Sequence, residues 1–254
     1  MPVIIPDRLW ETPDRITPGK KPSGNVVIDR ELQLARNLRS FFFFNGKNVV
    51  DVARLVPQGI IDVNGSELVS GGCKKGQSLI FDGSVSNEVE VNDLGTNYQF
   101  SIAGDWSILY HVRYDGVSRA AEYDLSTVNA AALGGTEGHH VTSQTWSAGE
   151  YKTILVSLKQ GVSFSVHING ESVLSEASSN DRFTHQIRYD HNATTLEIGI
   201  GIGSSANLIF GGTNQKTTDR FAGHFISAAT WHRAFNDSEG KEITRNPYQI
   251  VIPA

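Results

Sequence analysis

The chain has 254 residues, 39% hydrophobic and 19% charged, which suits one large all-β domain or one domain with appendages. A net charge of −5 and a pI near 5.9 exclude a nucleic-acid surface, because neutralising phosphates needs clustered Lys and Arg. The lone Cys73 excludes an intrachain disulfide, and its expected role is a small buried hydrophobe.

Met1-Pro2-Val3-Ile4-Ile5-Pro6-Asp7-Arg8 lacks the charged and apolar regions of a signal peptide, and no later run has the length of a membrane span. The expectation is a protein made in a cytoplasm, without membrane insertion, and kept there or released by lysis. Five of the eight prolines fall within the first 22 residues, so 1–25 reads as an extended arm. Val3, Ile4, Ile5, Leu9 and Trp10 make the arm too apolar for a plain linker. It is expected either on a neighbouring subunit or folded over its own domain, with Lys20-Lys21 solvated.

After Val26-Val27-Ile28, the spacing over Arg30–Leu38 predicts a short helix or turn. Leu38 to Phe44 is a continuous apolar run that suits a strand buried on both faces, ended by Asn45-Gly46. Val49–Arg54, Ile60–Val63 and Ser78–Asp82 read as further strands. Glu88-Val89-Glu90-Val91 alternates strictly. Ser107–Tyr114 and Ala120–Leu125 flank the hairpin signal Asp115-Gly116. Tyr151–Lys159, Val162–Ile168 and Glu171–Leu174 are joined by Gln160-Gly161 and Asn169-Gly170, which predicts a meander. Thr195–Gly203 alternates isoleucine with glycine, Phe221–Trp231 is the last long strand, and Asp237-Ser238-Glu239 opens a short helix with Ser or Asp as cap.

Short strands with Gly-rich turns predict an all-β, two-sheet antiparallel jelly-roll sandwich with an extended N-terminal arm. The order of several segments resembles the concanavalin A-like and laminin-G-like (pentraxin-like) lectin superfamily. These are Phe81-Asp82-Gly83 with Val89-Glu90-Val91, Trp106 to Val112, Ile168-Asn169-Gly170, Ile198-Gly199, and Trp231-His232-Arg233-Ala234-Phe235-Asn236. The likeness spans roughly residues 38–245 and implies a domain that binds rather than catalyses. The divisions are an arm (1–25), a sandwich (26–245) and a C-terminal tail (246–254).

The ends, Pro2-Val3-Ile4-Ile5-Pro6 and Asn246-Pro247-Tyr248-Gln249-Ile250-Val251-Ile252-Pro253, resemble lectin-like proteins of tailed-bacteriophage structural modules. That implies a virion subunit, a homo-oligomer favouring a trimer by analogy, with other virion proteins as partners and the arm and tail as attachment elements. Capsid decoration, tail-associated receptor binding and glycan adhesion are the roles it implies.

Glycan hydrolysis is the enzymatic alternative, because relatives place carboxylates two apart on one strand and Glu88 and Glu90 have that spacing, with Asn92 or Asp93 beyond. The same segment also reads as an ordinary solvent-facing strand, and the expectation is no enzyme and no required cofactor. Calcium is the metal the resemblance suggests, with hard oxygens from Asp82, Asn92, Asp93 and Asn97. No compact Asp-x-Asp-x-Asp loop occurs, so an all-protein cage is not claimed, and surface turn chemistry is the favoured explanation of those residues. His139-His140, His185 and His191 are the candidate transition-metal ligands. No nucleophile elbow or phosphate loop occurs in the sequence. For a sugar, aromatics that stack and amides that hydrogen-bond are needed, and Trp146, Tyr98, Tyr123, Tyr189, Asn129 and Asn180 are the candidates. Trp106 and Trp231 are expected in the core, and for Trp146 a core or interface position is the competing reading.

Overall fold

The computed structural model describes residues 21–22, 26–45, 48–53, 69–73, 76–82, 89–91, 104–115, 122–128, 136–177, 185–190, 195–201, 208–210 and 221–253. In chain order the strands are β1 (Val26–Ile28), β2 (Leu38–Asn45), β3 (Asn48–Asp51), β4 (Val69–Cys73), β5 (Gly76–Asp82) and β6 (Val89–Val91). Next come β7 (Trp106–Tyr114), β8 (Glu122–Val128), β9 (Thr136–Ser143), β10 (Tyr151–Lys159), β11 (Ser163–Ile168) and β12 (Glu171–Ala177). The last are β13 (His185–Asp190), β14 (Thr195–Gly201), β15 (Leu208–Phe210), β16 (Ala222–Trp231) and β17 (Val251–Pro253). One α-helix, α1 (Asp237–Arg245), follows β16.

The fold is an all-β antiparallel sandwich of jelly-roll type. One sheet runs β12-β11-β10-β7-β16-β2-β3, with β5 also paired to β16 and β4 to β5. The facing sheet runs β6-β15-β8-β13-β14-β9, and β1 pairs with β17. The predicted meander is present, with Leu158 opposite Phe164 and Ile168 opposite Glu171 across its two turns. Asn169 and Gly170 take positive φ in the second turn, as a tight reversal requires.

The central strands β2, β7, β10 and β16 of the larger sheet are buried on both faces, which is why they read as unbroken apolar runs rather than alternating ones. Phe42 and Phe44 of β2 point into the space between the sheets, where Phe44 meets Phe210 of β15 edge-on at 5.4 Å. Their neighbours Phe41 and Phe43 point the other way and pack on Tyr248. β7 and β10 divide likewise: Ile108, Tyr110, Ile154 and Val156 face inward, Leu109 and Leu155 outward. All ten residues of β16 are buried.

The outer face is covered by α1, by a 3-10 turn at Gln33–Ala35 and by the C-terminal segment. The helix begins one residue before the predicted caps. Asn236 accepts from Glu239 N while Glu239 accepts from Asn236 N, so the cap is an asparagine in a reciprocal box rather than Asp237 or Ser238. Ile243 is fully buried beneath the helix. The C-terminal tail, expected as an attachment element, is part of the sandwich: Tyr248, Ile250 and Val251 are buried, and Val251–Pro253 pairs with Val26–Ile28. The Tyr248 hydroxyl sits 2.8 Å from His111 Nδ1 and 2.9 Å from Ser227 Oγ.

Lys21 is a further correction. Expected on a solvated arm, its side chain is 4% exposed and its ammonium is hydrogen-bonded within the sheet. The strand expected at Ile60–Val63 lies outside the described residues.

Candidate functional site

At the end of the larger sheet where β7 begins, β10 ends and β11 begins lies a groove of about 410 Å³. Its floor is set by register. β10 and β11 pair Ser157 with Ser165 and Lys159 with Ser163, so strand alternation delivers all four to one side. Asp105, just before β7, borders one side, and Ala234, Phe235, Asn236 and Glu239 form the opposite wall.

That wall is rigid. Ser107 Oγ donates to the Arg233 carbonyl at 2.8 Å and lies 2.8 Å from Ser157 Oγ, which accepts from Phe235 N at 2.9 Å. Glu239 Oε1 accepts from Arg233 Nη1 at 2.8 Å and from Gln33 Nε2 at 3.2 Å. The Arg233 guanidinium lies over the Phe235 ring, 3.9 Å from its centre. With Trp231 also packed edge-on at 5.1 Å, Phe235 is 6% exposed and offers no stacking face to a ligand. Asp105 Oδ1 accepts from Gln160 N at 2.9 Å, which holds its carboxylate at the mouth. Lys159 is exposed, and Ser163 and Ser165 are half-buried. A hydroxyl both donates and accepts, an ammonium only donates and a carboxylate only accepts, so the groove presents the mixed partners that a polyhydroxylated ligand needs.

A second polar arrangement lies in the interior. Ser78 Oγ is 2.7 Å from His224 Nδ1, and His224 Nε2 is 3.2 Å from Asp115 Oδ2. Asp115 Oδ1 is also 2.7 Å from Arg113 Nη2. Serine, histidine and aspartate line up in a relay, yet Ser78 is fully buried, so no substrate reaches its hydroxyl and the chain acts as a brace between β5, β16 and β7. Burial pushes the pKa of His224 down against the opposing pull of Asp115. Burial likewise lowers that of His167, whose Nε2 is 3.3 Å from Asp237 Oδ1.

Of the sugar candidates, Trp146 is a core residue: it is 5% exposed, tilted against Tyr114 and Phe221, and its indole N–H donates to Glu150 O. No face is left for a pyranose, which corrects its assignment as a ligand residue. Tyr123 of β8 and Tyr189 of β13 are direct cross-strand partners. Tyr98, Asn129 and Asn180 lie outside the described residues. Asp82 ends β5 opposite Ala222, while the other calcium candidates Asn92, Asp93 and Asn97 lie outside. So do the arm residues Val3, Ile4, Ile5, Leu9 and Trp10. Glu90 pairs with Ile209, and Glu88 lies outside. His139 and His140 sit in β9 and His185 in β13, separated by β14, and His191 lies outside. Among the described residues no group of three or more His, Cys, Asp or Glu is gathered to hold a metal. Among the described residues no helix is long and apolar enough to cross a membrane.

Asp105, Lys159, Ser163, Ser165 and Asn236 were not legible as site residues, since each is an ordinary polar residue beside a turn. The Trp231–Asn236 segment is the available signal, but in the sequence it marks only the fold.

The architecture defines an all-β antiparallel sandwich of jelly-roll type. No protein-family model and no curated protein sequence matches the chain. Solved structures that share the fold include domain 4 of an extracellular arabinanase from Geobacillus stearothermophilus in complex with arabinotriose. That match has TM-score 0.53 and 14% identity, covering 82% of this chain and 98% of that one. The binding domain of Paraclostridial Mosquitocidal Protein 1 matches with TM-score 0.53 and 14% identity, over 84% and 52% of the respective chains. A Trypanosoma rangeli sialidase complexed with 2,3-difluorosialic acid matches with TM-score 0.54 and 14% identity, over 84% and 34%. The chain thus spans about half of the toxin domain and a third of the sialidase. At these identities the likeness is one of fold.

Proposed function

We propose that this chain is a non-enzymatic, lectin-like subunit of a tailed-phage particle that adheres to surface glycans through the groove at the β7, β10 and β11 end. The groove carries the reading. Its volume of about 410 Å³ lies within the range of small-molecule sites. The Ser163 and Ser165 hydroxyls, the Lys159 ammonium and the Asp105 carboxylate line it. An arabinotriose-bound domain among the structures of like fold supports glycan binding as an analogy. The virion part rests on the resemblance of the chain ends, with the apolar arm as the attachment element to other virion proteins in a homo-oligomer.

Binding is tested on the full chain by titration calorimetry with arabinotriose and by a microarray of bacterial surface polysaccharides. Saturable binding is expected, with Lys159→Ala and Ser165→Ala each weakening it at least tenfold while leaving Tm unchanged. No saturable binding to any of these, or binding that both variants leave intact, refutes the groove as a glycan site. Labelled-antibody electron microscopy of purified particles tests the virion part, and absence of label refutes it. Deleting residues 1–20, which spares Lys21, is expected to abolish incorporation.

A further inference from the structure

The larger sheet forks. β16 pairs with β5 over Ala222–Phe225 and with β2 over Ser227–Trp231, and Ile226 falls between the two registers. A fork of this kind points backbone carbonyls at one another with no facing strand to supply N–H groups, and buried carbonyls without donors are costly. Lys21 lies in this gap. Its Nζ donates to Phe44 O at 2.9 Å, to Asn45 Oδ1 at 2.7 Å and to Gln77 O, and lies 3.5 Å from Ile226 O. The Phe43 ring completes the enclosure with its centre 5.6 Å from the nitrogen. Three of these partners are main-chain carbonyls from β2, β5 and β16, so the backbone of the fork supplies most of the cage, with the Asn45 side-chain oxygen and the Phe43 ring completing it.

The neighbouring backbone accommodates the lysine. Gly76 has φ of +122°, and a Cβ there would lie 3.1 Å from Lys21 Cβ, so this position favours glycine for conformation and for room. The distances of 2.7 Å to Asn45 Oδ1 and 2.9 Å to Phe44 O suit an N–H donor. An ammonium carries three donors on one nitrogen and so satisfies oxygens from several directions, and a buried charge persists only when so satisfied.

We propose that the fork of the β2, β5 and β16 strands is a binding site for an ammonium head group, which the chain fills with its own Lys21. The lysine thereby clips the N-terminal arm to the sandwich at a fixed point. Emptying the site exposes its ligand class: a Lys21→Ala protein takes up a free primary ammonium ion, with propylammonium replacing the lost atoms most closely.

Thermal unfolding of the full chain in propylammonium, tetramethylammonium and sodium chlorides at equal ionic strength tests this. Lys21→Ala is expected to lower Tm in sodium by about 5 °C or more. Propylammonium should restore at least half of that loss in a saturable way, whereas tetramethylammonium, which has no N–H, should restore none. Equal responses to the two organic cations, or no loss of Tm, overturn the proposal. If Lys21→Ala folds in none of the salts, reductive methylation of the parent protein with mass mapping decides. Protection of Lys21 while exposed lysines react supports the site, and methylation of native Lys21 overturns it.

Discussion

Replacing Gly240 by alanine sets local helix preference against tertiary packing, with opposite expected signs. In an exposed helix interior the change stabilises by about 1 kcal/mol, because glycine has more backbone freedom to lose. Gly240, however, lies on the buried side of α1 against His167 of β11. A Cβ there would stand 2.6 Å from His167 Cε1, 2.6 Å from Nδ1 and 2.8 Å from Cγ. The imidazole is 1% exposed and its far nitrogen faces Asp237, so it has little freedom to move aside. Overpacking costs about 1–3 kcal/mol, and three simultaneous ring contacts place this case at the upper end. After the helix gain, a net loss of about 2 kcal/mol is expected, seen as a lower urea midpoint at unchanged m. A chain of this size should lose about 4–8 °C in Tm. Removing the ring relieves the clash, so Gly240→Ala combined with His167→Ala should show a coupling of at least about 1 kcal/mol. A Gly240→Ala protein as stable as its parent, or strictly additive effects, would refute the packing assigned to α1.

Gly223→Ala is expected to yield little folded protein, since φ is +150° and the new Cβ would lie 2.0 Å from the Arg113 carbonyl; wild-type circular dichroism and yield would contradict this. Tyr248→Phe should cost about 1–3 kcal/mol by leaving His111 and Ser227 without their shared hydroxyl. Ending the chain at Arg245 should unfold the sandwich, as read by loss of cooperative urea unfolding, and a stable truncated protein would restore the segment to a dispensable tail. Burial holds His167, His224 and His232 below the ordinary value of 6.5. As pH falls through about 6.5 the unfolded chain therefore takes up protons that the native one refuses. Stability should decline by up to about 1.4 kcal/mol per pH unit per histidine, and His232→Gln should flatten the slope. Urea midpoints that stay level from pH 7.5 to 5 would count against that burial.

Some of this protein is legible from residue order alone. Strand identity at Leu38–Phe44, Trp106–Tyr114 and Tyr151–Lys159 follows from runs of β-branched and aromatic residues bounded by turn dipeptides, because pleat and reversal are local properties. Double burial of the four phenylalanines follows too, since adjacent side chains leave opposite faces of a strand. Strands β4, β9, β13 and β15 were not legible, being glycine-rich, polar or only three residues long, so partners rather than propensity place them in the sheets. Long-range packing alone decided the fates of Lys21, Trp146 and the residues after Arg245. A lysine beside prolines, a tryptophan near a turn and a Pro-bounded tail all look solvent-facing by local rules. Their burial depends on a fork in β16, on Tyr114 and Phe221, and on a hydrophobic outer sheet face, assembled from segments far apart in the chain. The groove belongs to the same category, because register and the return of the chain after β16 bring Asp105, Lys159, Ser165 and Asn236 together, and neither is written in any one segment.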